Sequence, residues 1–125
     1  MYTVTVTREF VAQHWLTVPE PGPEGALHSH HLTVEVEVEG DQLGEYGYLV
    51  DIDDLKAVVD ALVDRYRDAT LNDLPEFEGR NPSVEHFSRC FAERVADGIE
   101  TDRLDAVAVT TWEEDAAAAS YAASV

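Results

Sequence analysis

Cysteine and lysine are each nearly absent from this chain: Cys90 is the only cysteine and Lys56 the only lysine. A lone cysteine excludes an intramolecular disulfide and a cysteine-rich zinc site, so any metal must be held by histidine or carboxylate. No apolar run is long enough to span a bilayer. The opening Met1-Tyr2-Thr3-Val4 reads as strand, not as a charged segment leading into an apolar one. The expectation is a soluble, cytoplasmic protein. Basic charge is also scarce, with 8 basic residues against 26 acidic ones and a formal net charge of −18. Such a chain repels duplex nucleic acid and anionic membrane surfaces, so neither is an expected partner. Hydrophobic residues still make up 45% of it, too many for a disordered acidic tail. An acidic, lysine-poor, folded chain suits a salt-filled, halophilic cytoplasm, where charge repulsion is screened within a few ångströms. An acidic protein from an ordinary cytoplasm is the alternative. A chain of 125 residues fits one domain spanning residues 1–125.

Periodicity gives a coarse map. Tyr2, Val4, Val6 and Phe10 alternate with Thr3, Thr5, Thr7 and Glu9, a half-buried strand. Proline and glycine punctuate residues 18–25, which read as a loop. Leu32, Val34, Val36 and Val38 alternate with Thr33, Glu35, Glu37 and Glu39, a second strand with one wet face. Residues 40–47 form a turn. Asp51 and Asp53 introduce a helix whose apolar stripe is Leu55, Val58, Val59, Leu62, Val63 and Tyr66. Residues 71–79 connect to Asn81-Pro82-Ser83, a helix start with proline in the first turn. Val84, Phe87, Phe91 and Val95 form the stripe of that second helix, which ends near Gly98. A third strand follows around residues 106–111. The alanine-rich tail from Ala116 reads as helix by propensity; as a strand, it would complete a four-stranded sheet. The order implies an α+β domain with helices on one face of an antiparallel sheet.

The histidines are unevenly placed. His28-Ser29-His30-His31 leads into the second strand, and residues two apart in an extended chain face the same side. His14 lies just past the first strand. An antiparallel hairpin would bring it to His28 and His30. Three neutral imidazoles with an open fourth position make a catalytic zinc ligand set. Surface histidines on a loop and strand end are the alternative from spacing alone. His31 and His86 have no partner at ligand spacing and read as structural or exposed.

Several segments resemble one family. Phe10-Val11-Ala12-Gln13-His14 resembles the Phe-x-Ala-x-His motif of the 6-pyruvoyl-tetrahydropterin and 6-carboxy-tetrahydropterin synthases, and Leu27-His28-Ser29-His30 resembles their Leu-His-Gly-His. Residues 48–56 look like the Val-Asp-Phe-x-x-Leu-Lys segment. Leu71-Asn72-Asp73, Asn81-Pro82-Ser83-Val84-Glu85 and Trp112-Glu113 look like Leu-Asn-Asp, Asn-Pro-Thr-x-Glu and Trp-Glu-Thr. The matches fall in order over nearly the whole chain. The resemblance implies the tunnelling fold, ordered ββααββ, with the tail as a fourth strand. It also implies a hexamer built as a dimer of trimers, with active sites between subunits. His14, His28 and His30 would hold zinc. Glu113 would anchor a reduced pterin as a carboxylate accepting two parallel hydrogen bonds, and Ser83 would join it in binding substrate.

Two catalytic groups depart from the family pattern. The usual cysteine, four residues before the first histidine of the His-Gly-His motif, is Glu24 here, and the usual Asp-His pair is Arg67-Asp68. Cys90 sits in the second helix and reads as a small apolar core residue. A glutamate in place of the cysteine resembles the family type that cleaves the side chain of 7,8-dihydroneopterin, or of its phosphate, to 6-hydroxymethyl-7,8-dihydropterin. The expected activity is thus a zinc-dependent lyase with Glu24 as general base and Asp68 as a second catalytic group. Formation of 6-carboxy-tetrahydropterin for deazapurine-modified tRNA competes with it, as does a catalytically silent zinc and pterin binder or a metal-free hexameric scaffold. Arg8, Arg65 and Arg67 are candidates to face a substrate phosphate.

Overall fold

Alternation in the first strand runs further than the sequence suggested. A computed structural model describes residues 1–125, and in it β1 (Tyr2–His14) pairs antiparallel with β2 (His28–Gly40) along its whole length, from Tyr2 opposite Gly40 to His14 opposite His28. His14 is therefore the last residue of the strand, not a residue beyond it. The intervening loop closes through a short 3-10 turn, Gly22–Gly25, within the stretch read as irregular.

The helices follow, α1 (Ile52–Tyr66) and α2 (Val84–Gly98), then β3 (Ala106–Glu113) and β4 (Ala117–Ser124). The sheet order is β1-β2-β3-β4, each pair antiparallel. This is the four-stranded, two-helix arrangement of the tunnelling fold. The Asp51 carboxylate starts α1 by accepting from the backbone N–H of Asp53 and Asp54. Ser83 does the same for α2 through the N–H of His86. Pro82 thus precedes the capping residue and lies outside the first turn, where the sequence had placed it. Two further 3-10 turns, Leu71–Asp73 and Pro75–Phe77, lie in the connection.

One face of the sheet carries Val6, Phe10, Val34, Val36, Val107 and Val109, all buried under the helices. α1 contributes Leu55, Val59, Val63 and Tyr66; α2 contributes Phe87, Phe91 and Val95. Phe87 is the hub, with ring contacts to Phe10, Tyr66, Phe77 and Phe91. Burying each such side chain contributes about 1.5–3 kcal/mol. The alternate residues Thr3, Thr5, Glu35, Glu37 and Glu39 point to the other face, which suits a sheet with one wet side.

The alanine-rich tail is strand β4. Its ladder with β3 runs from Glu113 opposite Ala117 to Ala106 opposite Ser124. Ala119, Tyr121 and Ala123 turn inward against α2, with the Arg89 guanidinium 5.5 Å from the Tyr121 ring centre. The unpaired edge of β3 and the apolar face of α2 outweigh alanine's helix propensity.

Candidate metal centre

The hairpin register assembles a histidine cluster. His14 and His28 are cross-strand partners, and His30 pairs with Ala12, so it lies diagonal to His14 on the same face. The ring centres are 4.6 Å apart for His14–His28, 4.8 Å for His28–His30 and 5.1 Å for His14–His30. One nitrogen of each lies within 4.8 Å of the others. The three residues that spacing predicted are therefore brought together.

The backbone sets two of the rings. Nδ1 of His14 is 2.8 Å from the Pro82 carbonyl, and Nδ1 of His28 is 2.8 Å from the Ala26 carbonyl. A carbonyl only accepts, so each ring is the Nδ1–H tautomer and presents a bare Nε2 lone pair. Nε2 of His28 is buried with no hydrogen-bond partner. An orphaned imidazole lone pair facing two more imidazoles fits a divalent cation of zinc type. Burial holds His14 below its ordinary pKa, with the neighbouring imidazoles adding to this against the Pro82 carbonyl. This favours the neutral imidazole, the form able to bind a cation.

Carboxylates flank the third ring. Glu113 Oε1 is 3.3 Å from His30 Nε2, and Glu114 Oε1 is 3.4 Å from His30 Nδ1. Beside the cluster is a cavity of about 10 Å³, the size of one water, whose walls include His14, His30, Ser83, Phe87, Thr111 and Glu113. Glu113 also borders an open groove of about 310 Å³ along β4, floored by Ala117, Ala118 and Ala119 with Val84 and Glu85.

The other expected residues fall elsewhere. Glu24 is exposed in the Gly22–Gly25 turn. Its carbonyl accepts from Leu16 N–H at 2.9 Å, fixing the turn to the chain two residues past His14, while its carboxylate has no partner. Asp68 is exposed at the end of α1 with φ of 57°, its N–H donating to the Val11 carbonyl. Neither residue lines the cavity or joins the cluster. Arg8, Arg65 and Arg67 are each paired with a carboxylate, from Asp60, Glu76 and Asp64 respectively. Cys90 is buried in the core, which pushes its thiol pKa up. His31 lies 3.4 Å from Glu9, and His86 Nδ1 meets the Asn81 carbonyl. Sequence reasoning passed over Pro82, Ala26 and Glu114 as partners of the rings. The first two act through backbone carbonyls, which carry no side-chain signature.

Known proteins match this arrangement. The family model for 6-pyruvoyl tetrahydropterin synthase matches residues 3–124. A protein of Archaeoglobus fulgidus, provisionally named 6-carboxy-5,6,7,8-tetrahydropterin synthase, is 29% identical over 102 residues, covering 81% of this chain and 83% of that one. The structure of Caenorhabditis elegans 6-pyruvoyl tetrahydropterin synthase superposes with a TM-score of 0.80 at 21% identity, covering 99% of this chain and 98% of that one. Plasmodium vivax 6-pyruvoyltetrahydropterin synthase superposes at 0.77 with 14% identity over all of both chains. Two of its structures are variants in which a catalytic glutamate is replaced by alanine or by cysteine.

Proposed function

The chain belongs to the 6-pyruvoyl tetrahydropterin synthase family, and on that footing we propose that it is a zinc-dependent lyase cleaving the side chain of 7,8-dihydroneopterin, or of its phosphorylated form, to 6-hydroxymethyl-7,8-dihydropterin. The observation that carries this reading is the buried, unpartnered Nε2 of His28 within three converging imidazoles. Zinc held by His14, His28 and His30 would polarise a substrate hydroxyl and lower its pKa.

The remaining roles fall to the chain's own side chains. The Glu113 carboxylate reaches both the cluster and the groove along β4, whose volume is of small-molecule size. There it accepts paired hydrogen bonds from the guanidine-like edge of a pterin, while Ser83 lines the inner wall beside it. Glu24 takes the proton from the hydroxyl on the far carbon of the bond to be broken, so that this carbon becomes a carbonyl and its fragment departs as an aldehyde. The bond's electrons then enter the ring C=N, and the carbon left on the ring is reprotonated. The Plasmodium protein supports a glutamate in this office, since its own catalytic residue is a glutamate. The Gly22–Gly25 turn, tethered two residues past His14, leaves the Glu24 carboxylate free to swing toward bound substrate. Asp68 stands apart from its own cluster, so its role is to act on the site of an adjoining subunit. β4 is an open edge and so is β1 up to Val11, beyond which residues 68–70 bond to it, and joining β4 of one copy to the open part of β1 of the next would close three subunits into a ring. Two such rings make the proposed hexamer.

The Archaeoglobus relative favours a second reading, synthesis of 6-carboxy-tetrahydropterin. The absence of a cysteine at position 24 weighs against it. Incubating zinc-loaded protein with 7,8-dihydroneopterin and with its triphosphate, and identifying products by mass, separates the two. Release of 6-hydroxymethyl-7,8-dihydropterin supports the favoured reading, and a 6-carboxy product from the triphosphate overturns it.

A further inference from the structure

The three cluster histidines are held in different ways. The Nδ1 atoms of His14 and His28 rest on backbone carbonyls. Nδ1 of His30 has only a side chain near it, the Glu114 carboxylate. Glu114 follows β3 and adopts φ of 55°, a left-handed conformation that a glutamate enters at a cost of about 1 kcal/mol or more. Two hydrogen bonds hold it there. Its N–H donates to the His31 carbonyl at 2.9 Å, and its Oε1 accepts from the His31 N–H at 3.1 Å. The residue thus grips the β2 backbone next to His30 and folds its side chain back over that ring.

We propose that Glu114 is a positioning residue that fixes His30 in its Nδ1–H tautomer and strengthens it as a metal donor. This rests on the three-imidazole reading above and adds to it. A carboxylate accepting from the outer ring nitrogen sets the tautomer, orients the ring and raises the basicity of the ligating nitrogen. The 3.4 Å separation is a close polar contact, longer than an ordinary hydrogen bond. Glu113 lies 3.3 Å from Nε2 on the opposite ring edge, a contact that a cation on Nε2 would replace, leaving that carboxylate to substrate. A neutral residue at position 114 would leave His30 the only ligand with no fixed outer partner.

The test is zinc affinity by chelator competition in wild type, Glu114→Gly and Glu114→Gln, with His28→Ala as reference. Glycine relieves the positive φ, so a folding defect does not explain a loss in that variant. Removing such an outer partner typically costs 10–100-fold in affinity. We expect Glu114→Gly to lose about tenfold and Glu114→Gln, which keeps an acceptor oxygen, to lose less. In the zinc-loaded protein the His30 Nδ1 proton should give a slowly exchanging resonance that Glu114→Gly abolishes. Stoichiometric zinc in wild type, lost in His28→Ala, with unchanged affinity and an unchanged His30 proton in Glu114→Gly, overturns this inference and leaves the metal centre standing. Wild type without zinc overturns both.

Discussion

His14 sits directly opposite His28 across the β1–β2 ladder, their rings 4.6 Å apart and nearly edge to face. The loop between them is pinned on both sides, by the Ala26 carbonyl on His28 and by the Leu16–Glu24 backbone bond. The three imidazoles are therefore carried on strands, whereas Glu24 is presented from the loop. On the proposed reading, the base at position 24 can therefore be changed without disturbing the histidine cluster.

Glu24→Gln should keep zinc and pterin binding but lose turnover on the order of a hundredfold, since the amide keeps the size and removes the proton acceptor. Steady-state rates on both neopterin substrates, with zinc content measured in parallel, check this. Glu24→Cys should shift products toward those of cysteine-bearing family members. Undiminished turnover in Glu24→Gln rules out Glu24 as the base.

Glu76 makes a separate prediction about acid. Its carboxylate is 7% exposed and clamps three elements, taking two bonds from Arg65 and one from the Tyr66 hydroxyl, with Arg94 at 3.4 Å. The Arg65 hydrogen bonds chiefly hold its pKa down at about 2 against an ordinary 4.5. A carboxylate with a lowered folded pKa adds stability above its unfolded pKa and loses it as pH falls through the folded one. The loss therefore spans roughly pH 4.5 to 2 and amounts to on the order of 2 kcal/mol, allowing for solvent screening at Arg65. Denaturant unfolding of wild type and Glu76→Gln at pH 6 and pH 3 isolates it. The gap between them should narrow at the lower pH, and a constant gap contradicts the clamp.

Much of this was legible in the chain. The two-residue spacing of His28 and His30 and the alternation around Phe10 fixed which residues share a face, because a strand has only two. The stripes of α1 and α2 followed from helical periodicity for the same kind of reason. The tail was not legible from composition, because alanine's local preference for helix is overridden by a waiting strand edge and helix face, both nonlocal. His14 was placed one step wrong because Gln13 and Trp15 obscure the end of the alternation. Glu114 could not be told from Glu113 and Asp115, since its role depends on a backbone twist and a register with His31.

Salt should govern assembly. Each copy carries a net charge of −18, and joining copies through β1 and β4 brings those charges together. Screening weakens the repulsion. Light scattering from dilute buffer to molar salt should show a larger assembly in salt and smaller species without it. A single unchanging mass across the series contradicts the salt-adapted reading.

The metal content of the purified protein tests the central claim most directly. One zinc per chain is predicted, falling to a small fraction in His28→Ala while the circular dichroism of the sheet is retained, because His28 Nε2 has no other partner to lose. Wild type that takes up no stoichiometric zinc, or a His28→Ala variant that holds it as well as wild type, would contradict the account.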